Sequence, residues 1–455
     1  MKIDKYTLVY RIFIVTFWVM WCWGFVSEQL IPPLDKLDSY ELVLVDGVLI
    51  ALGIATLRNR GDMLVLGSFI IIAVASTILV NKLSMFDLLN GSRDFIGVLF
   101  MVPIVRWFLT SEHSDDFIKK FDKQLLAWMY VQAFCATWQF IRYGANDEVG
   151  GSLGNKATGI LSISLFMVSF YFLCKNWDSS NYMKSLRRNI KYIILLYPTM
   201  LNETKASFIF ILLYFVLLIR VDRTLVMRLF MIIPVVIGIM SVLFVVYLDL
   251  TNQEADRILS SDFLEMYLVS GDVDLDHTVE MAEMYQDGVF DDALEVEWWT
   301  LDVPRFAKMI LILPIMQREP GDIWLGAGLG HLKNGKHAEQ TRFAKEYNWV
   351  LTGTVTWLMF MFVCFGIVGV LWFFGVFAWQ MFGGGPVVDT NGKRVLAFMI
   401  LTMLFIVIYN DSFRLPAQYL FFAYFGLLIH RKGVFAERPV NPCLEPSVSA
   451  GAKNS

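Results

Sequence analysis

Basic residues at the edges of long apolar runs are the first chemical signal in this chain. Lys205, Arg93, Arg142, Lys156, Arg305 and Arg318 each flank or interrupt such a run, where charge is costly to bury. Guanidinium forks and a point-charged ammonium are the groups that hold a diphosphate, the fork through paired N–H···O bonds. The same side chains serve equally well as anchors that snorkel to lipid headgroups, so both readings stand. Lys156 follows Gly150-Gly151-Ser152-Leu153-Gly154-Asn155, whose glycines would let backbone N–H groups approach an anion at a helix start.

Proton acceptors come later in the chain. His331 and His337 follow Gly326-Ala327-Gly328-Leu329-Gly330, and Glu319, Asp322 and Glu346 surround them. His331, Glu319 and Glu346 are the candidate general bases; a solvated acidic face is the plainer role for the carboxylates. The glycine run reads as a tight, flexible turn, because no strand precedes it as a dinucleotide fingerprint requires. The two histidines are six apart, on opposite faces of a helix. Cys22, Cys135, Cys174, Cys364 and Cys443 form no CxxC pair. No metal site, cofactor or disulfide framework is expected. Asp46 is the clearest acid at membrane depth, and a transporter would carry more such charge near the midplane.

The elements that must hold these residues are membrane helices. Of 455 residues, 56% are hydrophobic and 18% charged, against about 45–50% and about 25% in soluble domains. Runs approaching the about 20 apolar residues that cross a bilayer lie near 7–26, 40–57, 63–81, 94–110, 124–141, 157–174, 190–202, 206–220, 225–248, 350–377, 394–410 and 415–430. The seventh is too short to cross alone in standard helical geometry. The first is followed by Glu28, Gln29 and Pro32-Pro33 rather than a small-residue cleavage site, which reads as an uncleaved helix. Twelve crossings is the simplest count. With the N-terminus in the cytoplasm, inner segments carry 21 lysines and arginines and the short outer ones carry 7, as the positive-inside rule demands.

This alternation sets the domain organisation. Residues 1–250 supply helices one to nine, 251–347 a large periplasmic loop, 348–432 helices ten to twelve, and 433–455 a cytoplasmic tail expected to be disordered. The loop has 97 residues with 19 Asp/Glu against 8 Lys/Arg. Its aromatics and apolar stretches predict a folded unit. Helical periods near Glu280–Tyr285 and Arg305–Met316 predict short helices lying on the membrane surface.

Three features resemble the O-antigen polymerase and ligase superfamily of bacterial envelope glycan assembly. One is the polar break Leu201-Asn202-Glu203-Thr204-Lys205-Ala206-Ser207-Phe208, with Lys205 where that family commonly has arginine. The second is the late outer loop with Arg305 ahead of Gly326-Ala327-Gly328-Leu329-Gly330. The third is Glu346-Tyr347-Asn348-Trp349 leading into Gly366-Ile367-Val368-Gly369. The resemblance implies an all-α, GT-C-like fold in the bacterial inner membrane. It implies metal-independent, inverting glycosyl transfer from an undecaprenyl-diphosphate-linked oligosaccharide, with a chain-length-regulating membrane protein as partner and no nucleic acid. Tyr347 stands where ligases carry histidine, which favours a polymerase over a ligase. A flippase or exporter of the same lipid is the third reading.

Reporter fusions at Asn59, Lys184 and Gly392 are expected to read cytoplasmic, and those at Asp38, Gly271 and Asp411 periplasmic. A fusion at Gly271 active only in the cytoplasm would invert the arrangement.

Overall fold

The computed structural model describes residues 4–144, 148–155, 157–178, 182–202, 206–218, 305–318, 323–330, 355–383, 390–409, 413 and 417–430, and every regular element among them is helical. The first half supplies α1 (Lys5–Phe25), α2 (Asp38–Thr56), α3 (Arg60–Val74), α4 (Met85–Ser92), α5 (Val102–Leu109), α6 (Ser114–Tyr143) and α7 (Thr158–Lys175). After these come α8 (Tyr182–Ile194), α9 (Pro198–Leu201), α10 (Ala206–Leu218), α11 (Arg305–Arg318), α12 (Trp357–Gly383), α13 (Thr390–Tyr409) and α14 (Ala417–His430). Among the described residues, Lys5–Leu30, Arg60–Val80, Thr158–Lys175, Trp357–Met381 and Thr390–Tyr409 are long and apolar enough to cross a bilayer. A pair bent by 60°, Met85–Phe95 and Gly97–Leu109, makes a sixth. The described part of the chain is therefore all-helical, and its apolar helices are those of a membrane protein. The predicted ninth run, most of the large loop and the tail lie outside the described residues.

α7 is the axis of the bundle. It is apolar on all sides, the pattern of a helix surrounded by others, and nearly every residue from Thr158 to Cys174 is buried. Its serines join it to neighbours: Ser169 Oγ donates to the Tyr192 carbonyl (3.0 Å), and Asn202 donates to Ser162 Oγ (3.1 Å). Phe170 stacks on Phe398 at 4.4 Å between ring centroids, and Phe172 on Tyr192 at 4.9 Å. These contacts also account for the short seventh run. α8, the turn at 195–197 and α9 lie along α7 from its last turn to its first. The helical path beside α7 begins upstream of the apolar run, in the basic amphipathic α8.

Helices loosen toward one end. α1 continues as a π-helical turn over Val26–Leu30, α3 as another over Ala75–Val80, and a third, Gly97–Met101, leads into α5. This is the end expected to face outward. The opposite end is pinned by ion pairs: Arg106 to Asp62 at 2.6 Å, and Lys175 to Asp122, which also accepts from the Tyr171 hydroxyl at 2.9 Å.

The largest departure from regular helix is in α12, where Gly366 takes φ 61° and ψ −155°. In an unbroken helix the amides of Ile367 and Val368 would bond the carbonyls of Val363 and Cys364. Instead they donate to Ile323 O (3.0 Å) and Trp324 O (3.1 Å), while Ala327 N and Gly328 N donate to Val363 O (2.7 Å) and Cys364 O (3.1 Å). An opened turn of α12 and the turn at 323–328 thus bond each other's backbone groups. Both central glycines are in the left-handed region, and neither has room for a side chain. A Cβ on Gly366 would sit 2.3 Å from Ile323 O, and one on Gly326 2.5 Å from Phe365 N.

This bears on two expectations. The glycine run forms a turn, but Gly326–Leu329 are buried within the helical body, packed rather than flexible. The helix predicted near Arg305–Met316 is present as Arg305–Arg318; it docks on α12 and buries Lys308, Ile312, Ile315 and Met316.

Gly366→Ala and Gly326→Ala are each expected to cost about 3 kcal/mol or more, combining backbone strain with lost buried hydrogen bonds. Gly375→Ala in the same helix, whose Cβ meets nothing within 4 Å, should be neutral to stabilising. Melting of the detergent-solubilised protein separates the cases; equal behaviour of Gly366→Ala and Gly375→Ala would refute the exchange.

Candidate functional site

The loop Gly150–Asn155 is clamped between α1 and α6. Gln132 and Gln139 lie seven residues apart on one buried face of α6, where their side-chain oxygens accept from Ser152 N (2.8 Å) and Gly151 N (2.7 Å). Ser152 Oγ bonds the Trp21 carbonyl, and α1 comes so close that a Cβ on Gly24 would lie 2.0 Å from Leu153 O. Asn155 N donates to Glu28 Oε2 at 2.5 Å, and a side chain on Gly154 would strike that carboxylate. The loop amides expected to meet an anion are thus already taken by two glutamines and by the chain's own Glu28.

Beside this loop, Arg142 leaves the last turn of α6. Its Nη1 donates to Gln29 Oε1 (3.1 Å), which also accepts from the Tyr143 hydroxyl (3.1 Å), while Gln29 Nε2 donates to Asn155 Oδ1 (3.2 Å). The guanidinium lies 5.2 Å from the centre of the Tyr143 ring. An amide and an aromatic face orient Arg142, and no described carboxylate forms an ion pair with it. It is exposed.

Arg93 differs. It stands at the elbow between the two arms of the bent fourth span, and its Nε meets Asp46 Oδ2 at 2.5 Å. Tyr419 donates its hydroxyl to Asp46 Oδ1 (2.9 Å), and the neighbouring Gln418 Oε1 accepts from Gly97 N (3.1 Å). Arg93 and Asp46 therefore clamp α2, the elbow and α14 together. Tyr419 also helps to line a small apolar pocket with Phe13, Phe17, Leu49, Met101 and Phe121.

Of the six predicted cations, only Arg93 and Arg142 have described side chains. Arg305 and Arg318 begin and end the 14-residue α11, which sets their Cα atoms about 20 Å apart at 1.5 Å per residue. Lys205 and Lys156 lie outside the described residues, as do His331, Glu319 and Glu346. The polar break containing Lys205 begins at Asn202, which is fixed to the first turns of α7 through Thr158 O (3.4 Å) and Ser162. Among the described residues no three His, Cys, Asp or Glu side chains come together as a metal site.

Sequence reasoning missed Glu28, Gln29 and Lys308. Lys308 is fully buried and lies on one stripe with Ile312, Ile315 and Met316, a spacing that helical periodicity makes visible. Glu28 and Gln29 served only to argue against cleavage, and nothing local links them to Asn155. No family model matches the sequence, and no curated protein matches it.

Arg93→Ala and Asp46→Ala should each cost about 2 kcal/mol of stability, less than a fully buried pair because the Arg93 side chain keeps 26% exposure. The double variant should cost little more than the worse single one. Fully additive losses in a thermal double-mutant cycle would show that the two side chains do not act together.

Proposed function

We propose that this chain is a membrane glycosyltransferase extending a lipid-diphosphate-linked glycan, in the manner of the O-antigen polymerases its motifs resemble. The observation that carries the reading is Arg142. It is an exposed guanidinium at the expected outer face whose partners among the described residues, Gln29 and the Tyr143 ring, are neutral, which suits it to meet an anion. A polyprenyl diphosphate brought there from the bilayer would meet a charge already oriented, which stabilises a departing diphosphate without reorganisation. Lys156 follows the loop that Arg142 flanks, and Lys205 comes three residues after Asn202, which bonds the first turns of α7, so all three are assigned to the proposed cradle. Arg93, neutralised by Asp46, is assigned to the clamp.

In the proposed reaction a base, His331, Glu319 or Glu346, takes the proton of an acceptor hydroxyl. The oxygen attacks the anomeric carbon, and the bond from that carbon to the diphosphate oxygen breaks, with inversion. The lipid diphosphate leaves with its charge matched by the cations, so no metal is required. Twelve crossings, a GT-C-like arrangement, cytoplasmic termini and a periplasmic site belong to the same proposal, as does a chain-length-regulating partner.

A ligase passing the finished glycan to a lipid A core would use the same cations, and Tyr347 in place of the ligase-like histidine favours the polymerase. A flippase gains some support from the broken α12, since transporters commonly unwind helices at substrate sites. Here, however, the four backbone groups freed by the break are bonded to residues 323–328, leaving none of them for cargo.

Purified protein given only lipid-diphosphate repeat units should yield a ladder of longer products and free lipid diphosphate. Arg142→Ala should reduce that rate by about 10²–10³, with Arg142→Lys partly active. Glycosylation of added lipid A core without a ladder would establish the ligase instead; full activity of Arg142→Ala would leave the arginine a surface anchor.

A further inference from the structure

α8 divides lengthwise into three sectors. Ser185, Asn189 and Tyr192 are buried, with Asn189 bonded to Asn176 O (3.4 Å) and Ser185 to the backbone of Asp178. Met183, Leu186, Ile190, Ile193 and Ile194 form an exposed apolar sector. Lys184, Arg187, Arg188 and Lys191 form an exposed basic one, and the helix contains no acid. At 3.6 residues per turn each set keeps to its own side.

The pairing along α7 gives this helix a depth. Asn189 and Ser185 are level with Asn176 and Asp178, just past the last turn of a bilayer-spanning helix, and Tyr192 is level with Ser169 and Phe172. The basic sector therefore lies where the hydrocarbon ends, and the apolar sector runs beside it down into the bilayer. We propose that α8 is a binding site for anionic phospholipid. Its acyl chains would cover Met183, Leu186 and Ile190, and its phosphate would bridge Arg187 and Arg188. Charge complementarity selects this occupant, because a protein or zwitterionic lipid covering the apolar sector would bring no net negative charge to the exposed Arg187 and Arg188 beside it. The site is at the opposite end of the bundle from Arg142 and does not depend on the activity proposed for it.

The test uses the full chain with Cys443→Ser and a fluorophore on Met183→Cys, reconstituted in phosphatidylcholine vesicles. Brominated phosphatidylglycerol should quench the label more strongly than brominated phosphatidylcholine at equal mole fraction. Each cation near an anionic surface contributes about 1 kcal/mol, about fivefold in association, so Arg187→Gln/Arg188→Gln should cut the preference at least threefold. Arg187→Lys/Arg188→Lys should keep it. Raising NaCl from 0.05 to 0.5 M should weaken it in the unsubstituted helix, which decides the matter even if the glutamine variant fails to fold. Equal quenching by the two lipids, or a preference unchanged by both salt and the glutamine pair, would overturn the proposal. So would loss of quenching on self-association, which would make a second copy the occupant.

Discussion

The exchange of hydrogen bonds between residues 323–328 and 363–368 is the constraint on which much of this architecture depends. Within a bilayer each unpaired backbone group costs several kcal/mol, so a helix can open only where another segment supplies matching groups. Here the matching segment is the turn at 323–328. The pairing extends sideways as well: Ser76 Oγ donates to Leu325 O (2.5 Å) and Cys364 O (2.8 Å), Asn81 donates to Gly326 O (3.0 Å), and Leu329 N donates to Thr77 Oγ1 (3.0 Å). All three donors or acceptors come from the loosened end of α3. Gly91 lets α4 rest against Leu329 and Gly330. Segments more than two hundred residues apart are thus held as one block.

The same loosening shapes the proposed site. A π-helical turn widens α1 at Val26–Leu30, and from that turn Glu28 reaches Asn155 N while Gln29 reaches Arg142. Two of the arginines then acquire opposite characters from their neighbours. Arg93 is matched by a carboxylate and acts as a fastener. Arg142 is matched, among the described residues, by an amide and a ring, the basis on which the proposal offers its charge to a ligand. The proposed chemistry rests on that difference rather than on the number of basic residues near the membrane surface.

Much of the helix layout was legible because burial in lipid demands long apolar runs; the starts of α7, α10 and α14 fall within about two residues of the runs at 157, 206 and 415. The two glycine motifs were legible as motifs but not as partners, since nothing in either sequence says which turn will pair with which. The Arg93–Asp46 contact was hidden for the same reason. It joins α2 to an elbow, and an elbow leaves little trace in an apolar run. Gln132 and Gln139 were readable as one helical face, yet their role depends on a loop that folds back on them. The seventh run looked too short because its helix starts in charged sequence, where apolar counting stops.

Backbone hydrogen exchange tests the central pairing most directly, without altering a residue. In reconstituted protein, a peptide covering 323–330 should be as protected as one covering the middle of α12, although charge and sequence position place it in a large outer loop. Amide protons of Ala327 and Gly328 that exchange within seconds, while those of α12 persist for hours, would contradict the account.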